Sequence, residues 1–334
     1  MVPIALSAAV ALRDEDGRFT TAVLLGVCYA ASIGGVATPI GTPTNLIALK
    51  WLQEQTGTGI GFWQWMTFGI PAAGLLVPAA WWAVTRDIPK SAHGDQMAAS
   101  VHQDLLDLGP MTQPERRIAI VFAVVAALWV LRLPATNALA SMGFPQFQSY
   151  GGQNDMMIAM FGAVLVFLVP AGGGQHRALM TWDEAERLPW GVLLLFGGGI
   201  ALGNAMRATG LSDWIGQQLH VLAIFPPLII VAILVALVIF LTEVTSNVAT
   251  MTTLAPIIGS LATAVGAAPE ALFAPAAVAA SCAFMLPVAT APNAVIYATG
   301  KVPIGNMIRS GFQINLMGIL IITAIGYWIA PLVL

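Results

Sequence analysis

Apolar runs of helical length dominate the chain, and small polar residues interrupt them in a pattern. The densest interruption is 241–250, which lies between an apolar arm at 226–240 and a second at 254–265. An unpaired polar group in hydrocarbon is costly, so such a cluster must face protein, water or a ligand. A helical hairpin that enters the membrane, turns within 241–250 and leaves on the side it entered meets this demand. We therefore predict a re-entrant hairpin over 226–265.

Two further interruptions break apolar stretches of spanning length. Two prolines, three glycines and three threonines fall within 34–45, a composition that a continuous helix does not tolerate. A similar group at 288–293 divides the apolar stretch 271–299. We predict two discontinuous helices, although a proline kink in a packed helix is the alternative at each break, as a simple capping turn is at Ser246 and Asn247.

The remaining apolar stretches predict unbroken membrane crossings. Thr112 and Glu115, and likewise Thr181 and Glu184, have the spacing of a capping box and predict helix starts. An amphipathic stretch at 207–225 is expected to lie in the membrane interface. The crossings are 62–84, 117–133, 156–169, 190–206 and about 312 to the end.

Composition supports this assignment to a membrane. The chain is 58% hydrophobic and only 9% charged, with a mean hydropathy of +0.83, whereas soluble domains carry about 25% charged residues. Cys28 and Cys282 are predicted to be buried thiols, since neither has metal-ligand spacing. We find no nucleophile paired with a general base, so we do not expect an enzyme. We also expect no transition metal and no nucleic-acid partner.

The basic residues give a topology. If the hairpin re-enters and the other seven segments cross, ten basic residues share one side and three lie opposite, which is the positive-inside bias. This arrangement places the C-terminus outside. The ten are Arg13, Arg18, Arg86, Lys90, Arg116, Arg117, Arg177, Arg187, Lys301 and Arg309, and the three are Lys50, Arg132 and Arg207.

The two broken spans can be aligned with one another. Gly41–Ile47 matches Ala289–Val295 in the position of Thr and Asn, and Met1–Ser7 can be laid on Leu254–Ser260. The topology given by the basic residues has the two spans cross the membrane in opposite directions, so the repeat is predicted to be inverted. Matched breaks in two halves mark the binding site of secondary transporters. The counterpart of Ser246 would fall before Met1, so we expect a chain truncated at its N-terminus.

The charges near the predicted site restrict its ligand. No basic residue lies between Arg207 and Lys301, so an anion held here must be neutralised by helix dipoles, by hydroxyl and amide donors and by a bound cation. Glu243 lies within the polar cluster. We expect it to bond backbone amides of the hairpin, with direct ion contact as the alternative.

Four motifs resemble the divalent anion:sodium symporter family of dicarboxylate, citrate and sulfate carriers. They are Thr-Ser-Asn-Val-Ala-Thr at 245–250, Phe-Met-Leu-Pro-Val-Ala-Thr-Ala-Pro-Asn-Ala at 284–294, Ile-Gly-Thr-Pro-Thr-Asn at 40–45 and Leu-Leu-Leu-Phe-Gly-Gly-Gly at 193–199. The resemblance covers essentially the whole chain. It implies a homodimer that moves an anion with sodium by an elevator motion. One departure is Val248, which replaces a hydroxyl residue and is shared by some members of that family.

The resemblance also implies site residues. Sodium is expected at Thr242, Thr245, Asn247 and Ala289, with Gly41 serving a second sodium site. Substrate is expected at the hairpin tip and the broken loops, to which the aligned breaks add Asn45, Pro292 and Asn293. The substrate residues are therefore Thr42, Pro43, Asn45, Ser246, Asn247, Val248, Thr290, Pro292 and Asn293.

These observations predict an all-α polytopic membrane protein with an inverted repeat, located in a bacterial inner membrane. We expect it to import a di- or tricarboxylate with sodium. A sodium-independent anion exchanger of the same fold and a truncated, non-transporting scaffold are the alternatives. The transport domain is assigned to 1–53, 226–265 and 266–300, the scaffold to 54–206 and 301–334, a polar cytoplasmic loop to about 86–117 and the interfacial segment to 207–225.

Overall fold

The computed structural model describes residues 17–57, 59–86, 109–142, 153–187, 197–198, 201, 204–206 and 208–333. The expectations for the first hairpin remnant, for most of the polar loop and for most of the crossing at 190–206 lie outside these residues. The chain divides into two compact units, one holding 1–60, 64–107 and 193–334 and the other 61–63 and 108–192.

The first unit contains the two broken spans and the hairpin, together with helices that pack on them. The helices are α1 (Arg18–Val36), α2 (Pro43–Thr56), α3 (Phe62–Thr85, of which 64 onward belongs to this unit), α7 (Leu211–Leu219), α8 (Pro227–Val244), α9 (Asn247–Val265), α10 (Glu270–Ala280), α11 (Ala291–Ala298), α12 (Ile304–Trp328) and α13 (Ala330–Val333). A short 3₁₀ helix, His220–Ile224, follows α7.

All three predicted interruptions are present. The hairpin turn consists of Thr245 and Ser246 between α8 and α9, and Ser246 caps α9 by accepting a hydrogen bond from the amide of Ala249 at 3.1 Å. The first break loop, residues 37–42, separates α1 from α2. The second break loop, residues 281–290, separates α10 from α11 and begins earlier than the sequence predicted, because α10 already ends at Ala280.

The halves of the two broken helices pack crosswise. α1 contacts α11, and α2 contacts α10, so each half of one broken helix packs on a half of the other. The hairpin helices flank this pair, since α9 packs on α2, α7 and α10 while α8 packs on α10 and α12. Leu24, Met251, Phe273 and Phe284 are almost completely buried in the resulting core.

Two glycines allow helices to approach the break loops closely. A Cβ atom on Gly69 of α3 would lie 2.7 Å from the carbonyl oxygen of Val36, and one on Gly311 of α12 would lie 2.3 Å from that of Phe284. Real Cβ atoms do not come so near to backbone. Both helices belong to this compact unit, α3 from residue 64 onward. Their assignment to the scaffold stays a prediction.

The second unit contains α4 (Gln113–Ser141), α5 (Gln153–Leu168) and α6 (Trp182–Glu186). It also holds an antiparallel strand pair, β1 (Pro170–Gly172) and β2 (Gln175–Ala178), which the all-α prediction missed. Gly172 has a φ of 83°, a conformation that glycine adopts without strain.

Both predicted capping boxes form in the second unit. Glu115 accepts a hydrogen bond from the amide of Thr112 at 2.8 Å, and Glu184 accepts one from the amide of Thr181 at 2.9 Å. The Thr181 amide and the Arg177 guanidinium lower the pKa of Glu184 from 4.5 to about 2. Any stabilisation from this carboxylate is present above pH 4.5 and is lost as the pH falls toward 2.

Several of these helices are long enough to span a membrane. Among the described residues, five helices are long and apolar enough to cross a bilayer: Arg18–Val36, Phe62–Thr85, Pro227–Val244, Asn247–Val265 and Ile304–Val333. α10 and the apolar part of α5 are shorter.

We predict that Gly311→Ala lowers the thermal unfolding midpoint of the purified protein. The added methyl group must displace the backbone at Phe284, and overpacking of this kind costs about 1–3 kcal/mol. Gly318→Ala on the same helix is the control, because its Cβ would meet only side-chain atoms at 3.7 Å or more and alanine favours the helix. Equal midpoints for the two variants would contradict the close approach.

Candidate anion and sodium site

One cavity of about 350 Å³ collects most of the residues that the sequence singled out, but not Asn45, Thr242, Thr245 or Asn293. It is formed by the end of α1, by the starts of α2, α9 and α11, and by Ser281, which directly follows α10. Its lining is Ala31, Ser32, Gly35, Gly41, Thr42, Pro43, Ser246, Asn247, Val248, Ser281, Ala289, Thr290, Ala291 and Pro292. A volume of this size is typical of small-molecule sites.

Three helices begin at this cavity. Thr42, Ser246 and Thr290 are the N-cap residues of α2, α9 and α11, and all three line it. The first amides of a helix have no partner within the helix, and the helix dipole places partial positive charge there. The cavity thus gathers three positive helix ends, a geometry that favours an anion.

The described lining residues also determine what fixed charge the cavity carries. Of the described residues that line it, none carries a charged side chain. The polar groups present are the hydroxyls of Ser32, Ser281 and the N-cap residues and the amide of Asn247. Backbone dipoles and small neutral donors therefore determine its electrostatics.

Asn45 and Asn293 do not line the cavity but brace the two break loops in the same way. Each is completely buried and is the third residue of its helix. Asn293 Nδ2 donates to the carbonyls ten and seven residues earlier, those of Ala283 at 3.0 Å and Leu286 at 2.9 Å. Asn45 Nδ2 donates at the same two intervals, to Gly35 at 3.3 Å and Thr38 at 2.8 Å. The aligned breaks therefore share a hydrogen-bonding register.

The carbonyl oxygens of the two asparagines differ in their surroundings. Asn293 Oδ1 lies 2.8 Å from the Cys28 thiol, which donates to it. Asn45 Oδ1 is buried and finds no hydrogen-bond donor among the described residues. The two asparagines therefore match in the bonds that they donate but differ at this oxygen.

Glu243 also stabilises the second break loop. Its carboxylate accepts hydrogen bonds from the amides of Phe284, Met285 and Leu286 at 2.8 to 3.0 Å, and from Asn315 Nδ2 at 2.7 Å. It is 3% exposed. The sequence analysis was right that Glu243 bonds backbone amides but wrong that they belong to the hairpin. The contact joins the end of α8 to the second break loop.

Hydroxyl groups connect the two break regions. Thr44 Oγ1 and Ser281 Oγ lie 2.7 Å apart in a buried contact, and Ser281 Oγ lies 3.5 Å from Thr42 Oγ1. Since Thr42 and Ser281 both line the cavity, this chain of hydroxyls fixes one wall relative to the other.

Three oxygen atoms cluster where the hairpin meets α10. Thr242 Oγ1 lies 2.9 Å from both Asn247 Oδ1 and the Ala280 carbonyl oxygen, and its single proton can serve only one of them. The hydroxyl of Thr245, which is also predicted to bind sodium, makes hydrogen bonds with the Thr250 hydroxyl and the Leu241 carbonyl. Neutral hydroxyl, amide and carbonyl oxygens are the ligands that a hard cation prefers.

The sequence missed several residues of the site. Ala31, Ser32, Gly35, Ser281 and Ala291 line the cavity, and Ala280 supplies a carbonyl oxygen to the cluster. Ser281 is the polar residue that follows directly on the apolar segment of α10, which was the available signal for both the helix end and the hydroxyl.

We predict that Glu243→Gln loosens the second break loop. A glutamine turns an NH₂ group toward backbone amides that need an acceptor, and hydrogen bonds to a charged group are worth about 1.5–3 kcal/mol, or tenfold or more in local opening. Hydrogen exchange measured by mass spectrometry should show faster exchange at 284–286. Glu270→Gln, which removes a carboxylate from the start of α10, is the control. Unchanged exchange in Glu243→Gln would contradict the bracing role.

Comparison with known proteins supports the assignment of this site to a transporter family. Residues 4–334 match the family model described as the sodium:sulfate symporter transmembrane region. The chain is 38% identical to the sodium-dependent dicarboxylate transporter SdcS of Staphylococcus saprophyticus over 96% of its own length and 61% of that protein's. It is also 38% identical to SdcS of Staphylococcus aureus strain MRSA252, over 95% of this chain and 60% of the relative.

The chain thus spans about 60% of the length of the curated relatives it matches. These relatives are transporters and not enzymes, and the apolar helices mark an integral membrane protein. The motifs at the hairpin turn and at both break loops lie within the matched region. The chain therefore belongs to the sodium:sulfate symporter family, which is the divalent anion:sodium symporter family that its motifs resemble.

Proposed function

We propose that this chain forms the substrate-binding part of a secondary transporter that imports a di- or tricarboxylate together with sodium. The observation that carries the proposal is the meeting of three helix N-termini, those of α2, α9 and α11, at one cavity whose described lining residues carry no charged side chain. A carboxylate end of the substrate lies against Ser246 and Asn247, and another lies against the two N-cap threonines, Thr42 and Thr290. The named activity of the SdcS relatives agrees with this substrate class.

Sodium supplies the charge that the cavity lacks. A multivalent carboxylate gains only partial compensation from helix dipoles, since each is equivalent to about half a charge. The oxygen cluster of Thr242, Asn247 and the Ala280 carbonyl is the proposed sodium site. Asn247 belongs to both the cluster and the cavity lining, so ion binding orders a residue that the substrate needs. This shared residue accounts for coupling.

The remaining proposals concern motion and assembly. The cavity lies within a single compact unit, and we propose that this unit moves as a body in an elevator mechanism, in a homodimer with its C-terminus outside. The close packing of Gly69 and Gly311 against the break loops supports including α3 and α12 in the moving body. The matched asparagine braces support an inverted repeat.

We predict that Asn247→Ala and Thr290→Ala abolish sodium-dependent uptake of labelled succinate without loss of folded protein. Each removes a polar side chain from the cavity lining. Thr290→Ser keeps the N-cap hydroxyl and should retain uptake. Uptake is measured in cells that express the protein.

Ser260→Ala is the matched control for this test. Its hydroxyl bonds the Pro256 carbonyl on the same helix as Asn247 but away from the cavity. Near-normal uptake by both alanine variants would overturn the site assignment. Uptake that is unchanged when choline replaces sodium would identify an exchanger of the same fold instead.

We also predict that Thr242→Val raises the sodium concentration required for half-maximal uptake by about tenfold, the effect of losing one ligand worth 1–1.5 kcal/mol. Thr252→Val is the control, because Thr252 is buried in the same hairpin and its hydroxyl has no hydrogen-bond partner among the described residues. Equal sodium dependence in the two variants would contradict the proposed ion site.

A further inference from the structure

A second cavity, of about 360 Å³, lies at the opposite end of α1 from the substrate cavity. It is formed by the first turns of α1 and α12 and the last turn of α3. Its lining is Arg18, Thr21, Ala22, Leu25, Ala83, Val84, Asn306, Arg309 and Ser310. Fourteen residues of α1 separate Arg18 from Ser32 of the substrate cavity, a distance of about 21 Å along the helix. The two cavities are therefore distinct.

The chemistry of this second cavity differs from that of the first. Two arginines, Arg18 and Arg309, line it, whereas no acidic side chain is found among its described lining residues. Two helices also begin beside it, α1 at Arg18 and α12 at Ile304. Guanidinium groups and helix N-termini both favour an anion, and guanidinium geometry matches a phosphate.

The cavity is also structured on its apolar side. Leu25 and Ala83 are nearly completely buried and form part of its floor with Ala22 and Val84. Thr21 Oγ1 donates to the Lys301 carbonyl at 3.3 Å and so ties α1 to the turn before α12. A polar mouth with two arginines above an apolar floor suits a ligand with an anionic head and an apolar body.

We infer that this cavity binds a phosphate-bearing anion and that its membrane source is the headgroup of an anionic phospholipid. Arg18 and Arg309 bond the phosphate, the hydroxyl of Ser310 and the amide of Asn306 bond the remaining headgroup oxygens, and the glycerol region rests on Ala83 and Leu25. The positive-inside rule places the Arg18 end of the unit at the inner leaflet. Basic pockets between membrane helices on that side bind anionic headgroups in this way.

Native mass spectrometry of the purified protein, with phosphatidylglycerol or phosphatidylcholine added at equal concentration, tests the inference. The wild type should retain phosphatidylglycerol in preference to phosphatidylcholine. Arg18→Gln with Arg309→Gln should reduce the phosphatidylglycerol adduct by about tenfold or more, since two charge-assisted contacts are lost. Ala83→Phe keeps both arginines but fills the floor, and should reduce the adduct as well.

Arg86→Gln is the matched control. Arg86 lies at the same end of the unit, with its guanidinium over the Trp82 ring at 5.2 Å, and it does not line the cavity. Size-exclusion elution and the thermal midpoint establish that each variant is folded. Retention of the adduct in either folded pocket variant, or an equal loss in Arg86→Gln, would overturn the inference.

Competition with inorganic phosphate distinguishes the two sources of the anion. Displacement of phosphatidylglycerol by millimolar phosphate, from the wild type and from Arg86→Gln alike, would assign the cavity to a soluble phosphate. Retention of the lipid under the same conditions supports the headgroup assignment. A wild type that binds neither probe would exclude an anion site here.

Discussion

Backbone groups that lose their helical partners within a membrane must be paired by the protein itself, and this constraint determines the architecture of the chain. α1 and α10 both stop in the interior of the compact unit and leave carbonyls without partners. Asn45 and Asn293 donate to the carbonyls of the two break loops, and Glu243 accepts from three amides of the second. These three buried side chains allow two interrupted helices to exist in an apolar core.

The pairing is selective. Buried side chains satisfy the break loops, while the starts of α2, α9 and α11 are directed at a cavity. Most of the lining residues are small, so a ligand has room beside these helix starts. Roles are therefore divided between the polar residues: Asn45, Asn293 and Glu243 stabilise the break loops, while the N-cap residues and Asn247 line the cavity.

The sequence predicted much of this arrangement because its strongest signals are local. Prolines, glycines and capping residues located both breaks, the hairpin turn and the two capping boxes. Contacts between distant segments were not predictable in the same way. The partner of Glu243 is 41 residues away at Phe284, and the Thr44 hydroxyl meets Ser281 across 237 positions. The strand pair after α5 was missed because its strands have only three and four residues.

The equal intervals of the two asparagine braces have a further implication. Because Asn45 and Asn293 must reach carbonyls seven and ten positions upstream, the number of residues from 35 to 45 and from 283 to 293 is fixed by geometry. Insertions and deletions among homologous chains are then confined to the connecting segments outside these two windows. Each window should align without gaps even where its other residues differ, so its length should be better conserved than its sequence.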